Sequence, residues 1–217
     1  MINEKLKEYI ESNIMPRNAL NDAGHGLDHV NYVIRRSLAF ASTLSDINLN
    51  MVYTVAAYHD VGHSIDAKNH EKVSAEILAS DEKLQEFFSP EEIKIMSEAV
   101  EDHRASSKEE PRSIYGKIVS SADRNTSVNE ALKRTYAYRV KHMPEASIEE
   151  IIKDSKAHIL SKFGKDGYAR EKMYFVDEEY EQFLHDADEL ASNDEEFKKA
   201  FIKVNEIDLG RIRIKQQ

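Results

Sequence analysis

The chain has no cysteine and no tryptophan, and only seven glycines and four prolines among its 217 residues. Without cysteine there is no disulfide scaffold, no thiolate zinc or iron–sulfur site and no cysteine nucleophile, so any metal must be held by His, Asp or Glu. Scarce glycine and proline leave long uninterrupted segments, and 32 % charged residues complete a helical composition. Long hydrophobic runs are missing too. The opening MINEKLKEYIESN is charged every few residues and lacks the ~7–15 apolar residues of a signal peptide, and no later stretch approaches the ~18–20 of a membrane span. A soluble, cytoplasmic protein with no membrane partner is expected. Positive charge is in deficit, since 30 Lys and Arg against 40 Asp and Glu give a formal charge of -10. That balance argues against a basic face for duplex nucleic acid. The C-terminal Gly-Arg-Ile-Arg-Ile-Lys-Gln-Gln gathers Arg211, Arg213 and Lys215, and reads as a solvated tail.

What is present is helical periodicity. Val30, Val33, Ser37 and Ala41 recur at three and four, as do Ile93, Met96 and Val100, and again Ile148, Ile152, Ile159 and Phe163. The spacing predicts helices over about 3–14, 27–44, 50–62, 70–80, 90–104, 112–126, 128–142, 147–163, 168–191 and 194–206. Ser89 with Glu92 and Pro90, and Ser147 with Glu150, mark two starts. The expected fold is all-α, a single globular helical bundle over 1–217, with a core at about 20–140 and additional C-terminal helices at about 141–217.

Several imidazoles and carboxylates extend the apolar rows. His59 lies four beyond Val55, His103 three beyond Val100, and His29 four before Val33; Asp123 closes the stripe Ile118, Val119, Ala122. With Asp60 beside His59, five such side chains point inward from four helices. Buried charges of this kind persist when a divalent cation offsets their desolvation. The mixed nitrogen and oxygen donor set suits Mn, Fe, Ni, Co or Zn rather than calcium, with Mg retained as a candidate.

This order of residues resembles the HD-domain metal-dependent phosphohydrolases, whose ligands run His, His-Asp, Asp along successive helices. It is matched by His29 in Gly-Leu-Asp-His-Val, His59 and Asp60 in Tyr-His-Asp-Val-Gly-His, and Asp123 in Ser-Ala-Asp-Arg. The resemblance covers roughly 20–140. It implies an all-helical bundle of the HD-domain type around a metal held by His29, His59, Asp60 and Asp123, and attack of metal-activated water on phosphorus. The substrate class implied is a small phosphorylated molecule, with nucleotides ahead of sugar phosphates. Some relatives bind a second ion through two further histidines, an order occupied here by His70 and His103; one ion is expected rather than two, with His70 and His103 as catalytic proton carriers. His63, Lys68, Arg104 and Arg124 are the candidates for substrate contact.

Two positions depart from the single-metal pattern. Tyr32 stands three after His29, where such relatives commonly carry Arg, and Tyr115 stands eight before Asp123, where they often carry Glu. The Gly-Tyr-Pro motif of cyclic dinucleotide phosphodiesterases and the Glu-Asp pair of alarmone hydrolases are absent. The rival reading is a non-catalytic metal- or nucleotide-binding sensor of the same fold, and homo-oligomerisation is left open. His25, in Gly-His-Gly, reads as a loop residue, and His142, His158 and His185 as surface. Tyr136 and Tyr138, with Arg134 and Arg139, fit either a pocket wall or a core-lining helix.

Overall fold

Reciprocal Ser–Glu capping boxes start two of the longer helices. In a computed structural model, which describes residues 1–21, 24–104, 107, 109–170 and 173–207, the Ser89 hydroxyl accepts from the Glu92 amide while the Glu92 carboxylate accepts from the Ser89 amide. Pro90 takes the first helical position. Ser147 and Glu150 repeat the box. Both starts fall where the sequence spacing predicts them, and each cap contributes about 1 kcal/mol.

The helices are α1 (Glu4–Asn13), α2 (Met15–Asn18), α3 (Leu27–Ala41), α4 (Leu49–Tyr58), α5 (His70–Ala79), α6 (Pro90–Glu101), α7 (Ile114–Ala122), α8 (Val128–His142), α9 (Ile148–Phe163), α10 (Glu178–Ser192) and α11 (Asp194–Val204). Short 3-10 turns occupy Glu82–Glu86 and Tyr168–Arg170. The fold is all-α, with no strand among the described residues. No described helix is long and apolar enough to cross a membrane.

The helix expected over 168–191 is instead a 3-10 turn followed by α10. Asp177 accepts from the Tyr180 amide, and Glu178, Glu179 and Glu181 fill the first turn beyond it. A capping carboxylate followed by acids is the electrostatic signature of a helix start, and it overrides the apolar spacing that runs on from Tyr168.

Two compact units divide the chain after Arg124. In the first, α3 packs on α4 and α7, α5 on α6, and α6 on α4 and α7. Every residue from Met51 to Tyr58 is buried, so α4 is the enclosed helix of this unit. In the second unit α9 packs on α8 and α10, and α11 on α8, α9 and α10. Its core is built on Ile159, Phe163, Tyr180, Phe183, Phe197 and Phe201. Helix α8 falls in this second unit. Arg211, Arg213 and Lys215 lie outside the described residues.

Candidate metal centre

The first unit directs helix ends at one point. Helix α4 stops at Tyr58 with His59 as its C-cap, and Asp60 occupies the turn beyond. Helix α7 stops at Ala122 with Asp123 as its C-cap, and His103 lies two residues past the end of α6. His29 is in the first turn of α3, and His70 opens α5. The helices expected over 50–62, 90–104 and 112–126 therefore end about one turn early. An imidazole or carboxylate placed three or four residues after an apolar row extends the row by one period, so the pattern reads through the true terminus. Three helix C-termini carry their partial negative charge to this region, offset in part by the N-termini of α3 and α5.

The side chains converge closely. His29 Nε2 lies 3.2 Å from His59 Nε2, 3.0 Å from Asp123 Oδ1 and 3.4 Å from Asp60 Oδ2. His59 Nε2 is 3.2 Å from the same Asp60 oxygen. The other oxygen, Asp60 Oδ1, faces His70 Nε2 at 3.3 Å and His103 Nε2 at 3.7 Å, and those two nitrogens are 3.3 Å apart. Donor atoms close enough to share an ion thus form two groups, one of His29, His59 and Asp123, the other of Asp60, His70 and His103. Asp60 presents one oxygen to each.

The ring orientations are fixed from behind. His59 Nδ1 donates to Ala56 O at 2.7 Å, His103 Nδ1 to Val100 O at 2.6 Å and His70 Nδ1 to Ala67 O at 3.2 Å. With Nδ1 protonated, a neutral ring carries its lone pair on Nε2. These lone pairs face carboxylate oxygens and one another, an arrangement that is repulsive without a proton or a cation between them. Burial alone would push the Asp123 carboxyl up, but His29 and His59 hold it down at about 2. Asp60 is likewise held well below its ordinary range, against burial, by His59 and His29. Burial opposes a charge on His29 too, yet Asp123 and Asp60 raise it to about 9, and Asp60 raises His59 against the same opposition. His103 goes the other way, lowered to about 4 by burial and by His59. Two ionised carboxylates therefore draw protons onto the imidazoles around them. The same donors fit a divalent ion, which would take the place of those protons.

Residues 26–126 match the family model described as HD domain. This segment is an HD domain. HD domains bind divalent metals and belong to a family of metal-dependent hydrolases, and both donor groups lie inside the matched segment. A similar solved structure is the crystal structure of a predicted HD superfamily hydrolase from an uncultured Thermotogales bacterium, 17% identical, with a TM-score of 0.47 over 92% of this chain and 91% of that one. No curated protein matches the sequence.

Around the donors of the HD domain stand residues that differ in how far the sequence marks them. His25 and His63 stack with ring centroids 3.9 Å apart, and their rings lie 5.9 Å from His29 and 5.3 Å from His70 respectively. His63 is among the sequence candidates. His25 is a loop residue as expected, yet it reaches the site, and a loop histidine offers no periodicity by which to find it. Arg104 Nη1 donates to Lys68 O at 3.0 Å and to Glu71 at 3.2 Å, so its guanidinium is tied beside His70. The Lys68 side chain is exposed, and Arg124 follows Asp123 directly.

The two tyrosines of the HD domain that depart from the single-metal pattern make backbone contacts. Tyr32 OH donates to Arg124 O at 3.1 Å, and Tyr115 OH accepts from the Asn48 amide at 3.3 Å. Arg36, buried and not among the sequence candidates, donates to Ala122 O at 2.8 Å and Arg124 O at 3.2 Å, caging the carbonyls on either side of Asp123. It shares a helical row with His29 and Val33, and that row is the signal that could have found it. At Gly62 an added Cβ would lie 2.8 Å from the Ser74 amide nitrogen. Only glycine lets the turn after Asp60 approach α5 this closely.

Proposed function

We propose that the chain is a metal-dependent phosphohydrolase acting on a small phosphorylated molecule, nucleotides first among the candidates, and that two ions rather than one share its centre. The observation that supports this most directly is the two-sided Asp60 carboxylate, with Oδ2 3.2 Å from His59 and Oδ1 3.3 Å from His70. One ion would be held by His29, His59, Asp60 and Asp123, the other by Asp60, His70 and His103. On this reading His70 and His103 are ligands, not the proton carriers expected from sequence. Tyr32 and Tyr115, engaged with backbone, agree with a departure from the single-metal pattern. The ions would supply Lewis-acid polarisation of a phosphoryl oxygen and a lowered pKa for water.

The protein's own residues do the rest. Asp60 and Asp123 supply the negative charge that retains the cations, and the carbonyls of Ala56, Ala67 and Val100 hold three imidazoles in the ligating tautomer. His25 and His63, partly exposed and stacked beside both donor groups, form the wall from which a ring N–H can reach a phosphoryl oxygen or pass a proton to the leaving oxygen. Arg104 and Arg124 are placed next to donor residues and suit forked contacts to phosphate.

The test is phosphate and pyrophosphate release, with Mn added, from a panel of nucleotides and phosphoesters, comparing the native chain with Asp60→Ala. Turnover of at least one compound is expected, falling by ~10³-fold or more in the variant while far-UV circular dichroism is unchanged. Equal rates in the two proteins, or none in either, would return the chain to the non-catalytic reading.

A further inference from the structure

Helix α7 ends at Ala122, which leaves the carbonyls of Ser121 and Ala122 without an amide further along the helix. Helix α3 supplies donors to them. Arg36, 1% exposed, directs Nη1 at Ala122 O at 2.8 Å, Arg124 O at 3.2 Å and Ser121 O at 3.4 Å. Tyr32 OH donates to the same Arg124 oxygen at 3.1 Å. From within α7, Val119 O accepts from the Asp123 amide at 2.9 Å. The peptide that precedes Asp123 is thus held at both its oxygen and its N–H, and the one that follows Arg124 is held at its oxygen by two donors. A cationic donor at a helix C-terminus is favoured by the dipole as well as by the hydrogen bonds. The guanidinium is itself packed, with its carbon 5.3 Å from the ring centroids of both Tyr32 and Phe40. His29, Tyr32 and Arg36 are spaced three and four apart, so one face of α3 carries a ligand and two clamps on the backbone beside another. His29 Nε2 meets Asp123 Oδ1 at 3.0 Å across this junction. With 22% of its side chain exposed, Asp123 is the least enclosed of the group His29, His59, Asp60 and Asp123. Its place therefore depends most on where the backbone is held.

We propose that Arg36 and Tyr32 are positioning residues of the metal centre, which act through Asp123 to set the affinity of the ion held by His29, His59, Asp60 and Asp123. Their bonds to Ser121, Ala122 and Arg124 run to backbone oxygens, so they hold the frame of a ligand and leave the coordination to the carboxylate. Partners of this kind behind a metal ligand commonly govern metal affinity by ~10–100-fold. The group Asp60, His70 and His103 comes from the ends of α4, α5 and α6, away from the clamped end of α7, so the effect is selective for one ion. This inference rests on the metal-centre reading above but not on its substrate.

Titration calorimetry of the full chain with Mn tests it, in the native protein and in Tyr32→Phe, Arg36→Met and Arg36→Lys, each made with and without Asp123→Ala. With Asp123 present, Arg36→Met should weaken one ion by ~10–100-fold and Tyr32→Phe by ~5-fold, while Arg36→Lys, which keeps a cationic donor, falls between native and Arg36→Met. With Asp123→Ala, the same substitutions should change the remaining Mn affinity by less than ~2-fold, because the residue they act through is gone. A general loosening of the first unit would weaken binding equally on both backgrounds, and that result overturns the proposal. Unchanged affinity in Tyr32→Phe and Arg36→Met with Asp123 present overturns it too, while leaving the metal centre standing. No Mn binding by the native chain overturns the metal-centre reading and this inference with it. Tyr32→Phe removes a single hydroxyl, so it decides the question if Arg36→Met does not fold, which thermal denaturation in EDTA reports.

Discussion

The two units bury different things. The first encloses His59, Asp60, His70, His103 and Arg36 alongside its aliphatic residues, whereas the second builds its interior from Ile159, Phe163, Tyr180, Phe183, Phe197 and Phe201 and buries few polar side chains. Burying an ionisable group costs free energy unless a partner offsets it. The first unit therefore holds groups that make sense only with protons or cations between them. The second holds packing.

Substitutions can sharpen that contrast. The largest expected stability effect lies in the second unit, where Phe201 is fully buried with ring centroids 5.7 Å from both Tyr136 and Phe197. Phe201→Ala should cost about 3–5 kcal/mol, read by urea denaturation. A loss below about 1 kcal/mol would mean that this core does not behave as packed.

In the first unit the contrast takes the form of pH dependence in the metal-free protein. His29 rises from 6.5 to about 9 on folding, so its contribution is fully present below pH 6.5 and is lost as pH climbs towards 9. His103 falls from 6.5 to about 4, so its contribution is present above pH 6.5 and is lost as pH falls towards 4. Thermal denaturation in EDTA should give maximal stability near pH 6.5 and decline on both sides, and saturating Mn should remove the alkaline decline. A flat profile from pH 5 to 9 in EDTA would contradict the charge assignments. The smallest effect belongs to a cap: Ser147→Ala should cost about 1 kcal/mol in the same denaturation assay. A neutral result would show that the Ser147–Glu150 box adds nothing beyond the packing of α9.

Much of the first unit is legible in the amino-acid sequence. His29, His59, Asp60, His103 and Asp123 stand out because they extend or adjoin apolar rows, and the fold brings all five together. The same arithmetic overruns the helix ends, since a polar residue in register looks like more helix until its backbone turns away. What the sequence conceals depends on tertiary approach. His25 arrives from a loop, Arg36 hides a guanidinium beneath Asp123, and the second oxygen of Asp60 gains meaning only when α5 and α6 deliver His70 and His103 to it. In the second unit Tyr136 and Tyr138 look alike in sequence, yet one packs on Phe201 and the other stands 60% exposed with its ring stacked on His142. Two residues of separation turn a helix by ~200°, which places them on opposite faces.

The most direct test of the shared-Asp60 centre is the number of Mn ions bound per chain at saturation, measured by elemental analysis after desalting and by titration calorimetry, for the native protein beside His70→Ala/His103→Ala. Two ions in the native chain and one in the double variant are predicted. One ion in both would contradict the two-sided role of Asp60 and leave only the group around His29, His59 and Asp123.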